Sequence, residues 1–404
     1  MAPQALEGVR VLDASQMLAG PLCGMRLGDL GAEVFKIEPP GRGEWNRSHG
    51  FGDATFDGQS TTFLALNRNK RSVALDLKTD EGRDALYRLV EVSDVFLQNY
   101  LVGTAARLGV SYDTLSEINP RLVYCSITGY GAVGPYARRP GQDLVLQGYS
   151  GSMWSVGAAD DPPLPGALWA ADTMTGYQAT IGILAALNAR GTTGRGQHVE
   201  VDMLASLMDA QSQELVTFLN AGVKPKRRRQ PSAHALIPAP YGAFQTADGY
   251  ITLAMSSTKA LGELFDDEVL KGITSWEDQL ARADDITERV AMHLRERTTE
   301  ECLNGLLGAG MWAGPVYDYD DLANDPHVAE RNMIVDIALE SGRSMRVPGV
   351  PIQMSDTPPR ISSPPPPLGA DTAAVLSNVL GYDDDTIAAL DAAGAIATRK
   401  ARDS

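Results

Sequence analysis

Residues 9–38 read VRVLDASQMLAGPLCGMRLGDLGAEVFKIE, and the reading of this stretch decides the fold. "VRVLDAS" and "AEVFKIE" have the composition of short buried strands, and "PLCGMRLGDLG" between them has that of a helix. The theme repeats downstream. "SVALDL" (72–77), "EGRDALYRLVEV" (81–92), "DVFLQN" (94–99) and "RLVYCSITGYG" (121–131) continue as strand, helix, strand, strand. Short strands separated by helices of 10 to 12 residues predict an α/β fold, a parallel sheet with helices on its faces, and a Rossmann-like large domain. Ligands of such sheets lie beyond the carboxyl ends of the strands. The turn after the first strand, "DASQMLAGPLCGM", has no GxGxxG, so it carries no dinucleotide fingerprint.

The chain has 404 residues, 44% of them hydrophobic, enough for a sizeable core and for either more than one domain or one large composite domain. Its net charge of −16 argues against nucleic-acid binding and against adhesion to an anionic membrane. A polyanionic ligand needs a local basic pocket. The opening residues MAPQALEGVRVLDASQ lack a basic segment followed by an apolar one, and no run reaches the ~18 apolar residues of a membrane span, so a cytoplasmic location is expected. Cys23, Cys125 and Cys302 are scattered and odd in number, and the five histidines form no HxxxH or HxH pair. Metal-free chemistry is expected.

Residues 167–203, ALWAADTMTGYQATIGILAALNARGTTGRGQHVEVDM, place one acidic residue, Asp172, where an apolar entry segment becomes a helix ending near Gly191. Two readings compete. Asp172 is an N-cap that accepts backbone N–H bonds, or it is a reactive carboxylate steadied by the helix N-terminus. After a helical run to about Asn220, "KPKRRR" (224–229) opens a polar, proline-containing linker, read as solvated rather than as a nucleic-acid patch. "PYGAFQTADGYITLAMS" (240–256) predicts a hairpin turning at Ala247-Asp248-Gly249, followed by short helices. "DTPPRISSPPPPLG" (356–369) is a polyproline arm leading to terminal helices. The domain plan is a large domain at 1–222, a linker at 223–238, a small α+β domain at 239–325, and a return arm with helices at 326–404.

Taken in order, "DASQMLAGP", "LGDLGAEVFKIEPPGRGE", "NRNKRSVALDLKTDEGRDAL", "GQDLVLQGYSG", "ADTMTGYQATIGILAAL" and "TGRGQHVEVDM" resemble the class III CoA-transferases, the CaiB/BaiF family. The resemblance runs from about Leu6 to Ala395. It implies an acyl-CoA:carboxylate CoA-transferase in which Asp172 is the nucleophile, working through mixed-anhydride and aspartyl-CoA thioester intermediates. Coenzyme A enters as part of the acyl-CoA substrate, with no tightly bound cofactor, and small carboxylic acids are the other partner. By position, the resemblance implies CoA contacts at Met17, Leu18, Leu75, Lys78, Asn99, Tyr100, Leu101 and Arg107, with Arg139 and Gln142 beside them. It also implies an interlocked homodimer with the active site at the junction of one large domain and the partner's small domain.

Two other activities stand beside this one, an acyl-CoA racemase and a non-catalytic CoA-binding protein. Racemases of the family are similar to one another at a GHD triplet whose His removes an α-proton. Here the triplet is Gly141-Gln142-Asp143, and an amide is no base. Asp143 falls where formyl-CoA transferase has an acidic residue near its nucleophile. That enzyme also has a glycine-rich loop where this chain has "AHALIPAPYGAF", a glutamine at the position of Leu18, and a basic residue at the position of Pro39. These departures point away from formyl-CoA and toward a larger acid, a dicarboxylate or branched acid. His234, in "PSAHALIPAP" just after the basic run, has two readings, a residue approaching the active site and a structural or exposed histidine.

Overall fold

The computed structural model describes residues 3–399. The stretch quoted first forms β1 (Arg10–Asp13), α1 (Ala19–Asp29) and β2 (Glu33–Glu38), with β1 and β2 parallel. Then come β3 (Lys70–Leu75), α2 (Asp80–Glu91), β4 (Val95–Gln98), β5 (Val123–Thr128), α3 (Asp143–Ser150), α4 (Ala170–Thr193) and β6 (His198–Asp202). Their sheet order is β3-β2-β1-β4-β5-β6, all parallel. A two-residue strand, Ile396–Ala397, closes the β3 edge in antiparallel pairing. This is the doubly wound order whose direction reverses between β1 and β4, and it fixes where a ligand crevice opens.

Strand alternation assigns each side chain to a face. Leu12, Phe35, Val73, Phe96 and Tyr124 point to one side and pack with Leu86, Leu89 and Val90 of α2 and Val375 and Leu376 near the C-terminus. Val11, Val34, Val95, Leu97, Val123 and Cys125 point to the other and bury Ala19, Cys23 and Leu27 of α1 and Ala179, Ile183 and Ala186 of α4. Fully burying one such aliphatic side chain stabilises the fold by about 1.5–3 kcal/mol. The second face matters for function, because it sets the N-terminal turns of α1 and α4 side by side. Gly176 makes this packing close: a Cβ there would stand 2.8 Å from the Ala19 carbonyl oxygen.

The chain folds into two compact units. One comprises residues 1–146, 169–210 and 327–404 and holds the sheet. The other comprises 147–168 and 211–326. Its core is a three-stranded antiparallel sheet of β7 (Gly242–Gln245), β8 (Tyr250–Ala254) and a strand at Trp312–Pro315, covered by helices that contribute Leu261, Ile286, Val290, Leu294 and Leu306. The β7–β8 pair turns at the Asp248-Gly249 signal, as its sequence predicts. Residues 356–367 have no regular structure and are tied to the first unit. Asn69 takes the Ser362 N–H and donates to the Arg360 carbonyl, and Arg47 reaches the Pro366 carbonyl. Among the described residues no helix is long and apolar enough to cross a membrane, and no cluster of three or more His, Cys, Asp or Glu is placed to hold a metal ion.

Candidate active site

The crevice at the β1/β4 reversal is built from the loop after β1 and the loop after β4. Asn99, just beyond β4, clamps Gln16 on both sides: its Oδ1 accepts the Gln16 N–H at 2.9 Å and its Nδ2 donates to the Gln16 carbonyl at 2.7 Å. Met17 adopts φ +67°, in the left-handed region that a side chain with a Cβ rarely occupies. Two side chains from the loop after β2 hold it there. Glu44 accepts the Met17 N–H at 3.1 Å, and Asn46 donates to the Met17 carbonyl at 2.6 Å.

Underneath, the loop rests on buried charges. Asp13, at the end of β1 and fully buried, pairs with Lys70 at 2.8 Å, lies 3.8 Å from Lys36, and accepts from the Ser15 hydroxyl. Lys36 also donates to the Ser15 carbonyl. Burial pushes the Asp13 carboxyl up, but Lys36 and Lys70 outweigh it and hold the acid below its ordinary range.

This scaffold delivers the first N–H of α1 to Asp172. The Ala19 N–H faces the Asp172 carboxylate and acts to lower its pKa, so the positive end of α1 is turned toward it. Asp172 is the third residue of α4, whose N-cap is Trp169 with no side-chain cap bond. The N-cap reading of Asp172 is therefore wrong: the residue stands inside the helix, not at its cap. The Thr173 N–H is bonded to the Trp169 carbonyl at 2.9 Å and so is not free to serve the carboxylate. Asp143, buried at the start of α3, accepts the Asp172 backbone N–H at 3.1 Å. The loop carrying Asp143 is brought in by a glycine contact, since a Cβ on Gly129 would stand 2.7 Å from the Gly141 Cα.

Burial first, then the Asp143 charge, raises the Asp172 pKa from its ordinary value to about 6, against the lowering effect of the Ala19 N–H. Such an acid is ionised at neutral pH and remains more basic than an ordinary aspartate, which favours attack on an acyl carbon. The acid limb of kcat/KM for acyl-CoA is predicted to fall tenfold per pH unit below about pH 6, because only the ionised form attacks. A pH–rate profile that stays flat down to pH 4.5 would contradict it.

Asp172 opens on a cavity of about 410 Å³ that Met17, Leu18, Asn99, Tyr100, Leu101, Arg139 and Gln142 also line. Leu75 and Lys78 line a neighbouring cavity of about 370 Å³. The two share Gln16, Trp45 and Tyr100, so they form one trench over the crevice. Burial pushes the Tyr100 hydroxyl up to about 12, which keeps it a neutral donor. Arg107 lines neither cavity; it is exposed, and its guanidinium donates to Thr104 at 2.7 Å. Gln142 accepts the Leu144 N–H at 3.1 Å and so also caps α3. Arg139 stacks on Tyr136 with its guanidinium carbon 4.0 Å from the ring centre. Sequence reasoning missed Gln16, Glu44, Asn46 and Trp45. The run "DASQ" directly after a strand is the signal that marks Gln16.

Residues 6–372 match the family described as CoA-transferase family III. The chain belongs to CoA-transferase family III. It is 34% identical over 398 residues to the human succinyl-CoA:glutarate CoA-transferase, covering 97% of this chain and 90% of that one. It is 36% identical over 391 residues to the beta subunit of succinyl-CoA–L-malate CoA-transferase from Chloroflexus aurantiacus, covering 95% and 96%. A crystal structure of a CaiB/BaiF family protein from Brucella suis superposes with a TM-score of 0.83 at 32% identity, over 93% of this chain and all of that one. As a family III member the protein is an enzyme, an acyl-CoA:carboxylate CoA-transferase, and its parallel sheet and helices have the family's fold.

Proposed function

We propose that Asp172 is the nucleophile of transfer between dicarboxylic acids, and the observation that carries this is its carboxylate at the wall of the trench, its pKa raised to about 6 and the Ala19 N–H facing it. The Asp172 oxygen attacks the donor thioester carbon, the C–S bond breaks, and CoA leaves as thiolate from a mixed anhydride. The thiolate attacks the aspartyl carbonyl, forming an Asp172–CoA thioester and releasing the donor acid. The acceptor carboxylate then attacks that thioester, and the returning thiolate takes the acceptor's acyl group and frees Asp172. The Ala19 N–H faces the oxygen on which negative charge develops. In this reading Asp143 is a positioning residue, acting through the backbone of Asp172.

CoA lies along the trench, with Met17, Leu18, Asn99, Tyr100, Leu101 and Gln142 around its thiol end and Leu75 and Lys78 farther along. Arg107 and Arg139, both exposed, serve as phosphate contacts. Dicarboxylates are favoured because relatives covering nearly the whole chain are named for succinyl-CoA with glutarate and with L-malate. Succinyl-CoA incubated with glutarate, malate or mesaconate is expected to yield the corresponding new thioester by mass spectrometry. Transfer to monocarboxylates alone would overturn the dicarboxylate assignment.

We further propose a cytoplasmic, interlocked homodimer in which residues 239–325 of one chain face the large domain of the other. Broad apolar exposure supports an obligate partner: Leu219 is 71% exposed, Trp312 64% and Tyr319 90%. Sedimentation at nanomolar concentration is expected to show a dimer throughout. A folded, active monomer of 43.2 kDa would refute it.

A further inference from the structure

The basic run "KPKRRR", read from sequence as a solvated linker, is part of the wall of a cavity of about 920 Å³ within the second unit. Its charges are not spent on neighbouring acids. Arg229 pairs with Glu288 at 3.2 Å, but among the described residues no carboxylate lies within ion-pairing distance of Lys224, Lys226, Arg227 or Arg228. Arg228 is the informative one. It is half-buried, its Nη2 donates to the Ile237 carbonyl at 2.7 Å and to that of Ala235 at 3.4 Å, and its Nε and Nη1 have no acceptor among the described residues. Burial pulls its guanidinium pKa down, with the Asp284 charge pushing back.

The acids of the wall are already engaged. Asp284 accepts the Gln230 N–H at 2.9 Å. Glu214 faces His234 Nε2 at 2.8 Å, while the Leu236 N–H is bonded to His234 Nδ1 at 3.2 Å. A protein of net charge −16 therefore keeps unpaired cations around a cavity, one of them half-buried at the cost of desolvation.

We propose that this cavity is a binding site for a dicarboxylic acid. Arg228 and the lysines at its mouth match carboxylates, which pair with guanidinium and ammonium donors in charge-assisted hydrogen bonds. Leu236, Ile237 and Leu280 in the same wall offer an apolar surface for the methylenes between two carboxylates. Phosphate sites are usually built from glycine-rich loops whose N–H groups converge, and the wall segment from Arg229 to Pro240, "RQPSAHALIPAP", has no glycine. The ligand assignment rests on the dicarboxylate reading of the reaction, and the site itself does not depend on Asp172.

The test is calorimetric titration of the full-length protein with succinate, with propionate and inorganic pyrophosphate as the other arms, on wild type, Asp172→Asn, Arg228→Gln and the double variant Lys224→Ala/Lys226→Ala. The two lysines are exposed and form no ion pair, so the double variant keeps the test valid if Arg228→Gln fails to fold. Succinate is expected to bind wild type and Asp172→Asn alike, about tenfold more weakly to the lysine double variant, and propionate not to saturate. Succinate binding as tight in the double variant as in wild type, or saturation by pyrophosphate but not by succinate, would overturn the site. Transfer retained by Asp172→Asn would sink the nucleophile and leave this site standing.

Discussion

Asp172→Asn is expected to lower transfer by at least a hundredfold while acyl-CoA still binds, because the amide keeps the shape but cannot form the anhydride. Hydroxylamine should trap a modified Asp172 in wild type incubated with acyl-CoA and leave the variant untouched. The same substitution is expected to stabilise the protein. Asp172 has its pKa raised in the fold, so the stability it contributes is present at low pH and lost as pH rises through about 6. Above that pH the ionised wild-type carboxylate is a burden of about 1–3 kcal/mol that the neutral amide removes. Thermal melting at pH 8 should show the variant at or above the wild-type Tm. An inactive variant that melts well below wild type would mean that Asp172 holds structure and that its loss of activity says nothing about chemistry.

Asp13→Asn is expected to have the largest effect on stability. It leaves Lys36 and Lys70, both buried, facing an amide where a carboxylate stood 2.8 Å from Lys70. Breaking one side of a buried ion pair costs about 3–5 kcal/mol, a large share of the 5–15 kcal/mol that typically holds a protein folded. The depressed acid also makes a pH statement: its contribution is present above the unfolded-state pKa and lost as pH falls below it. Urea unfolding at pH 7.5 reads the loss directly. In the double variant Asp13→Asn/Lys70→Met the loss should be partly recovered, since one orphaned charge is gone. A loss under about 1 kcal/mol in the single variant would show that the loop over Asp13 stands without it.

The sheet was legible because its strands are short, apolar and separated by helices of regular length, as in "VRVLDAS" and "AEVFKIE". Strand β6, "HVEVD", was passed over. It lies at the sheet edge with His198 and Glu200 exposed, so it lacks the continuous apolar run that marked the inner strands. Asp172 stood out as a lone acid in an apolar segment, yet its surroundings did not. The N–H that faces it, that of Ala19, belongs to a helix more than 150 positions earlier, whereas local rules point to an N-cap and to the N-terminus of its own helix. Nothing local in Met17 signals a left-handed backbone. That conformation is imposed by Glu44 and Asn46, which reach it from the loop after the next strand. "KPKRRR" looked like a solvated run because sequence shows charge but not whether a carboxylate stands opposite.

Passage of the acyl group through the Asp172 carboxylate leaves an isotopic record on that residue. In each turnover the acceptor leaves one of its carboxylate oxygens on Asp172 when the thiolate takes its acyl group. Turnover with acceptor acid labelled in its carboxylates with heavy oxygen, followed by proteolysis and mass spectrometry, should therefore find the label in the peptide that carries Asp172, in the carboxylate of that residue. An unlabelled Asp172 after many turnovers, with the product thioester formed at full rate, would contradict the account.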